Sequence, residues 1–125
     1  MARLVVYVRS RVCPDVARWR RWLQQHELDY VELDIDSDAE AYDRVLRWTG
    51  FESVPTLVIA PDDGLEPIEA PSALPPGRGP RAIDRGTMLT EPNPGQIVPF
   101  LERNGIPVTR LEGSRDGGII GRLLG

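Results

Sequence analysis

The sequence predicts an α/β fold in which strands and helices alternate along the first half of the chain. Short apolar or β-branched runs with strand character lie at 3–8, 30–35 and 56–60. Segments with helical periodicity separate these runs. The resulting β-α-β-α-β order favours a sheet whose first two strands are parallel.

The first strand, RLVVYV, is apolar almost throughout, as in a strand buried on both faces. The first helix is predicted from Pro14 to about Glu27. Proline suits the first helical position because its missing N–H would have no partner there. Val16 and Trp19 begin an apolar stripe at helical spacing, so one side of this helix is expected to face the core.

The second strand, YVELDI, alternates apolar and acidic residues with a period of two. Ser37 and Glu40 then have the spacing of a capping box and predict the start of a second helix. Gly50 is expected to end that helix in the left-handed conformation. The third strand follows at 56–60.

The composition changes after the third strand. Residues 61–86 are rich in proline and glycine and predict a long loop or insertion. A short fourth strand is predicted at 87–90, and Asn93–Pro94 starts a last helix that Gly105 closes. A glycine-rich C-terminal extension with apolar residues follows at about 106–125. It is expected to form an extra strand, to dock on a partner or to fray, and the chain is predicted to be a single domain over residues 1–125.

Charge and hydropathy exclude two classes of partner. The net charge of −4 argues against nucleic-acid binding through clustered Lys and Arg. No segment approaches the ~18 consecutive apolar residues of a membrane span. Cys13 is the only cysteine, which excludes an internal disulfide and fits a reducing compartment. We therefore expect a cytoplasmic protein with no nucleic-acid or membrane partner.

The runs VVYVRSRVCPDV, YVELDID and ESVPTLVI resemble the glutaredoxin family. The later run MLTEPNPGQIVPFL is similar to the end of the mycoredoxin-type members. This resemblance implies the thioredoxin fold, β-α-β-α-β-β-α, with a four-stranded mixed sheet flanked by helices. It also implies thiol-disulfide exchange with a low-molecular-weight thiol, glutathione or mycothiol, as co-substrate, and thiolated proteins as substrates.

The resemblance assigns roles to five residues. Cys13 aligns with the nucleophile, and Pro14 with the proline of the family motif at the helix start. Pro55 aligns with the family's cis-proline, and Val54 with the residue whose backbone pairs with the bound thiol. A lysine that many members carry just upstream of the motif is absent here, but Arg9 and Arg11 flank its place, and we expect Arg11 to hold a carboxylate of the ligand.

Two family features are replaced. Val16 stands where a resolving cysteine would complete a redox pair, so turnover is expected to follow the monothiol route. The segment TEPNPG replaces the Gly-Gly-x-Asp segment that grips glutathione in many members.

Two local effects on Cys13 oppose each other. The helix N-terminus favours a thiolate, whereas Asp15 competes for the same N–H groups, and each effect is worth about 1 kcal/mol. The sequence does not decide between them.

Two other functions stay open. One is a non-catalytic binding module that docks a protein partner through the 61–86 insertion or the C-terminal tail. The other is a [2Fe–2S] carrier in which Cys13 of two chains and two small thiols share the cluster. The motif CPDV departs from the Cys-Gly-Phe-Ser of the cluster-binding members, so this function ranks last and no metal is expected.

Overall fold

The computed structural model of the protein describes residues 2–111. The helices are α1 (Pro14–Leu23), α2 (Ala39–Thr49) and α3 (Pro94–Arg103). The strands are β1 (Ala2–Val8), β2 (His26–Glu27), β3 (Val31–Asp34), β4 (Thr56–Pro61), β5 (Ile83–Asp84), β6 (Met88–Thr90) and β7 (Thr109–Arg110).

The main sheet is mixed and has five strands in the order β3-β1-β4-β6-β5. β1 runs parallel to β3, and the remaining neighbours are antiparallel. Residues 4–8 of β1 are at most 1% exposed, so both faces of this strand are covered. The mixed α/β architecture confirms the prediction of a thioredoxin-like fold.

The fifth strand was not predicted. β5 is a two-residue edge strand that pairs with β6 inside the segment predicted as a loop. Two residues have too little pattern to distinguish a strand from a turn. The pairing with β6 is therefore what makes this segment a strand.

Strand pairing brings four chain segments to one edge of the sheet. Val8 lies opposite Asp34 in the parallel pair, so the chain leaves β1 and β3 at the same edge. Tyr7 lies opposite Thr56, and Thr56 opposite Thr90, so the chain enters β4 and leaves β6 there as well. The Cys13 segment follows β1 and the Val54–Pro55 segment precedes β4, and this topology therefore places both at one edge.

The first helix is shorter than predicted. α1 ends at Leu23, four residues before the expected end. The next residues pair with β7 as a separate two-stranded sheet, with His26 opposite Arg110. Long-range strand pairing therefore overrides the helical pattern of this segment.

The second helix begins and ends close to the predicted residues. Its N-cap is Asp38 rather than Ser37, and the Asp38 carboxylate accepts hydrogen bonds from the N–H groups of Glu40 and Ala41 at 3.0 and 3.1 Å. At the other end, Gly50 has φ of +79°, as predicted for a left-handed C-terminal glycine.

The core lies between the sheet and the three helices. The largest fully buried side chains include Trp19 of α1 and Phe100 of α3. Trp48 of α2 packs edge-on against Tyr7 of β1, with ring centroids 5.3 Å apart. Each helix therefore has an aromatic anchor in or beside the sheet.

The 61–86 insertion is tied to the sheet by backbone groups. The Arg3 guanidinium donates to the Gly64 carbonyl, and the Ile68 N–H donates to the Ile59 carbonyl at 2.9 Å. Farther along, Arg85 donates to a carbonyl of the insertion and to the Trp48 carbonyl at the end of α2. The insertion therefore follows the surface of the domain, with hydrogen bonds to β1, β4 and the end of α2.

The C-terminal extension is described only as far as residue 111. Its β7 pairs with β2 and not with the main sheet. The remaining apolar part of the predicted extension, 112–125, lies outside the described residues. Among residues 2–111, no helix has the length and apolar content needed to cross a membrane.

Candidate active site

Cys13 stands at the junction between the coil that follows β1 and the first turn of α1. It is the N-cap of α1, with extended backbone angles of φ −149° and ψ 120°. Its carbonyl accepts the first helical hydrogen bond from the Ala17 N–H at 2.9 Å. Cys13 is a free cysteine, and the residue is half-buried. The sulfur is therefore attached at the positive end of the helix dipole.

A cleft of about 340 Å³ opens beside Cys13. Its apolar wall includes Pro14 and Val12, and Val12 is fully exposed. Arginine side chains form its polar side: Arg9, Arg11 and Arg20. The cleft thus combines an apolar wall with cationic groups around one thiol.

Val16 is three positions beyond Cys13, at the third residue of α1, and is 4% exposed. It packs in the core and also lines the floor of the cleft. Its side chain carries no thiol or hydroxyl, so the first turn of α1 supplies one sulfur.

The Val54–Pro55 segment lies on the other side of the first turn of α1. The peptide bond between these residues is cis. Pro55 is buried, and together with Asp15 and Trp22 it lines a cavity of about 20 Å³. Val54 is 3% exposed. Pro55 therefore shares this cavity with Asp15 of the first turn of α1, whereas neither Val54 nor Pro55 lines the cleft beside Cys13.

Two carboxylates organise the coil before Cys13. Asp36 accepts hydrogen bonds from the Arg9 guanidinium at 2.9 Å and from the Arg11 backbone N–H at 3.0 Å. Glu52 accepts from Arg9 at 2.9 Å and from the Tyr42 hydroxyl at 3.0 Å. We call these five residues the Asp36 cluster.

The Asp36 cluster also holds the side chain of Arg11, which was predicted to bind a ligand carboxylate. The Arg11 guanidinium lies 3.2 Å from Asp36 and 3.6 Å from Glu52, and it is 68% exposed. A ligand carboxylate would share this guanidinium with two protein carboxylates. The hydrogen bond from Arg9, reinforced by the Arg11 backbone N–H, holds the pKa of Asp36 far below its usual range.

A second cluster joins α1 to the insertion. The Arg81 guanidinium donates to both carboxylate oxygens of Asp15, at 2.8 and 3.1 Å, and to Glu91 at 2.9 Å. Arg18 donates to Asp15 at 2.8 Å. We call these four residues the Asp15 cluster. The hydrogen bond from Arg81 is the main cause that lowers the pKa of Asp15, and partial burial opposes it.

Glu91 lies in the segment TEPNPG, which was predicted to replace a glutathione-gripping segment. Its φ is +45°, a left-handed conformation that is uncommon for a residue with a side chain. Its N–H donates to the Pro55 carbonyl at 2.8 Å. At the start of α3, the Gln96 side chain accepts from the Asn93 N–H at 2.8 Å. This segment is thus bonded to the proline loop and capped without the glycine pair.

The structure brings the predicted site residues together in two groups. Cys13, Pro14 and Arg11 line the cleft, and Pro55 lines the neighbouring cavity behind which Val54 is buried. The sequence analysis did not identify the acidic residues that fix the arginines, or Arg81. Asp36 and Glu52 could have been found, because Asp36 lies two residues after β3 ends and Glu52 four residues before β4 begins, both at the Cys13 edge of the sheet.

Residues 4–63 match the family model for glutaredoxin. Through this region, the chain belongs to the glutaredoxin family. No curated protein and no solved structure matches the chain significantly. The matched region contains Cys13, the proline loop and the whole Asp36 cluster, whereas Arg81 and Glu91 lie beyond it.

Glutaredoxins are thiol-disulfide oxidoreductases that typically use glutathione-type thiols, and this family supplies the general chemistry of the site. Within residues 2–111, no group of three or more His, Cys, Asp or Glu side chains is placed to hold a metal ion. Around Cys13, the described residues supply one thiol, the N-terminus of α1 and the surrounding ion pairs.

Proposed function

We propose that this glutaredoxin domain catalyses monothiol exchange between a small thiol and its mixed disulfides with proteins. Cys13 is the nucleophile in this proposal. The observation that carries it is the position of Cys13: a free, half-buried cysteine at the N-cap of α1, with no second sulfur in the turn. N–H groups of a first helical turn stabilise an anion at this position.

The reaction consists of two thiol-disulfide exchanges. The Cys13 thiolate attacks the small-thiol sulfur of the mixed disulfide, and the substrate protein's sulfur leaves as a thiolate that takes a proton from water. Cys13 is then joined to the small thiol by a disulfide bond. The thiolate of a second small-thiol molecule attacks the sulfur of the bound one, which releases the Cys13 thiolate and the small-thiol disulfide.

Other predicted residues have binding roles in this proposal. The Val54 backbone pairs with the bound thiol, Pro55 supports it, and Pro14 fixes the start of the helix. Arg11 draws a carboxylate of the ligand to the mouth of the cleft, where its guanidinium is 68% exposed. Glutathione has two carboxylates, whereas mycothiol is a sugar-based thiol that lacks them. The positive charge of Arg11 therefore favours glutathione as the bound thiol.

The experiment compares wild type with Cys13→Ser on a glutathionylated peptide with glutathione, and on a mycothiolated peptide with mycothiol. Wild type should release the peptide thiol far faster than the uncatalysed reaction, and its intact mass should show one small thiol on Cys13. Cys13→Ser should show neither. Circular dichroism of both proteins checks that the variant is folded.

Three results would contradict the proposal. Turnover by Cys13→Ser would assign the chemistry to another group. Wild type that forms no adduct and releases no peptide thiol would favour the non-catalytic binding module. A visible iron–sulfur chromophore after anaerobic purification, without exchange activity, would favour the cluster carrier.

A further inference from the structure

The Asp15 cluster links the insertion to the helical turn that bears the thiol. Asp15 lies two residues after Cys13 in the first turn of α1. The bidentate contact with Arg81 joins residues 66 positions apart in the sequence. The side chains of Asp15 and Glu91 are each 17% exposed, so these ion pairs are screened less by solvent than a fully exposed pair.

The charge of Asp15 matters for the thiol. A carboxylate in the first helical turn competes with the Cys13 thiolate for the positive end of the helix and also repels it. Two guanidinium groups, from Arg18 and Arg81, face this carboxylate, and Glu91 faces Arg81 from the loop after β6. The four side chains together carry no net charge. Loss of one arginine would leave an uncompensated negative charge in the helical turn that begins at Cys13.

We propose that Arg81 is a positioning residue that keeps Cys13 reactive by neutralising Asp15 and holding its carboxylate toward the proline loop. This inference rests on the proposed function and extends it to the insertion, which lies beyond the region matched by the family. The 61–86 insertion thereby acts as an electrostatic support for the thiol. Three other arginines line the cleft beside Cys13, and each forms an ion pair with an acidic residue from another part of the chain. Arg9 pairs with Asp36, Arg11 with Glu52, and Arg20 with Glu32.

The test measures the rate of Cys13 alkylation by iodoacetamide between about pH 5 and pH 9, a range that brackets the usual thiol pKa. The variants are Arg81→Gln, Asp15→Asn, the double variant and Arg81→Lys. Arg78→Gln is the matched control, because Arg78 is an exposed arginine of the same insertion. Urea unfolding of each variant separates a loss of reactivity from a loss of folding.

Arg81→Gln should slow alkylation at neutral pH by about threefold to tenfold, the size of effect expected of one unit charge near a protein surface. Its pH profile should move to higher pH. Asp15→Asn should react at least as fast as wild type. In the Asp15→Asn background, Arg81→Gln should slow alkylation clearly less than it does in wild type, because the carboxylate through which Arg81 acts is then absent. Arg81→Lys should retain most of the reactivity, and Arg78→Gln all of it.

Two results would overturn the inference. One is a pH profile of Cys13 alkylation in Arg81→Gln that equals that of wild type. The other is an equal slowing by Arg81→Gln with and without the Asp15 carboxylate, because Arg81 would then not act through Asp15. If Arg81→Gln does not fold, Asp15→Asn alone still tests the inference. Slower alkylation of Asp15→Asn than of wild type would contradict it. The peptide exchange assay tests the proposed function separately, since alkylation requires no small thiol.

Discussion

The Arg9 guanidinium and the Asp36 carboxylate form a 2.9 Å ion pair across the ends of two parallel strands. Arg9 directly follows β1, and Asp36 lies two residues after β3. The side chains of both are 14% exposed. Because Asp36 also accepts from the Arg11 backbone, this pair fixes the path of the coil that leads to Cys13.

Asp36→Asn should destabilise the protein at neutral pH, and this difference should shrink in acid. The folded-state pKa of Asp36 is lowered, mainly by the hydrogen bond from Arg9. Its stabilising effect is therefore fully present above the unfolded-state pKa of about 4 and is lost as pH falls toward the folded-state value. Urea midpoints of wild type and variant, measured at about pH 7 and about pH 3, check this.

Asp43→Asn is the matched control for the Asp36 experiment. Asp43 is 74% exposed and lies 3.6 Å from Arg47 on the surface of α2. A surface pair of this kind contributes little to stability. The same midpoint shift at both pH values for Asp36→Asn would contradict the prediction, as would a shift of equal size for Asp43→Asn.

Tyr7 should be the last tyrosine to ionise. Burial raises its pKa to about 12, and the nearby Arg44 opposes this effect. The Tyr7 hydroxyl donates to the Leu65 carbonyl at the start of the insertion. The raised value favours the neutral form, so this contribution to stability is present below about pH 10, the unfolded-state value, and is lost as pH rises toward 12.

An ultraviolet titration of tyrosinate absorbance tests the Tyr7 prediction. Wild type should show one ionisation near pH 12, and Tyr7→Phe should lack that step. Tyr30→Phe, which removes a less buried tyrosine, should retain it. The prediction is wrong if all three tyrosines of wild type ionise together near the ordinary value of about 10 while the protein is still folded.

Val16→Cys should convert the site into a dithiol. The N-cap and third helical positions are those that approach each other in a capping box, so a sulfur at residue 16 lies within reach of Cys13. Mild oxidation should remove both free thiols and lower the mass by two hydrogens. The oxidised variant should then exchange with a dithiol reductant. Loss of buried methyl contacts should destabilise it by about 1 kcal/mol.

Val16→Ser is the control for the dithiol variant, because it has a similar size and cannot form a disulfide. Its Cys13 thiol should stay free under the same mild oxidation. Two free thiols in oxidised Val16→Cys would show that the side chain of residue 16 faces the core too completely to reach Cys13. In that case the fold, and not only the residue type at position 16, would prevent a disulfide with Cys13.

Local patterns were sufficient for most of the fold. The apolar run of β1, Pro14 at the first position of α1 and the left-handed Gly50 each depend on a few neighbouring residues, and all three lie where they were predicted. The end of α1 was misjudged because His26 pairs with a strand that is distant in sequence. The helix cap was assigned one residue early, because Ser37 and Asp38 are both suitable capping residues.

In the site, too, neighbouring residues determine some features and residues distant in the sequence determine others. The position of Cys13 at a strand-to-helix junction and the absence of a second thiol at Val16 follow from residues within one turn of the chain. Whether Asp15 opposes the thiolate could not be decided in this way. Its carboxylate is compensated by Arg81, and no local pattern links two residues separated by 66 positions.

The sequence by itself therefore determined the order of the helices and the longer strands, the family motif and the candidate nucleophile, Cys13, because these depend on residue type and short-range periodicity. Only the tertiary structure decided the electrostatic surroundings of that nucleophile. Ion pairs are set by which side chains strand pairing and loop paths bring within a few ångströms. At this sheet edge those paths bring an arginine of the insertion to Asp15, and an aspartate and a glutamate to Arg9 and Arg11.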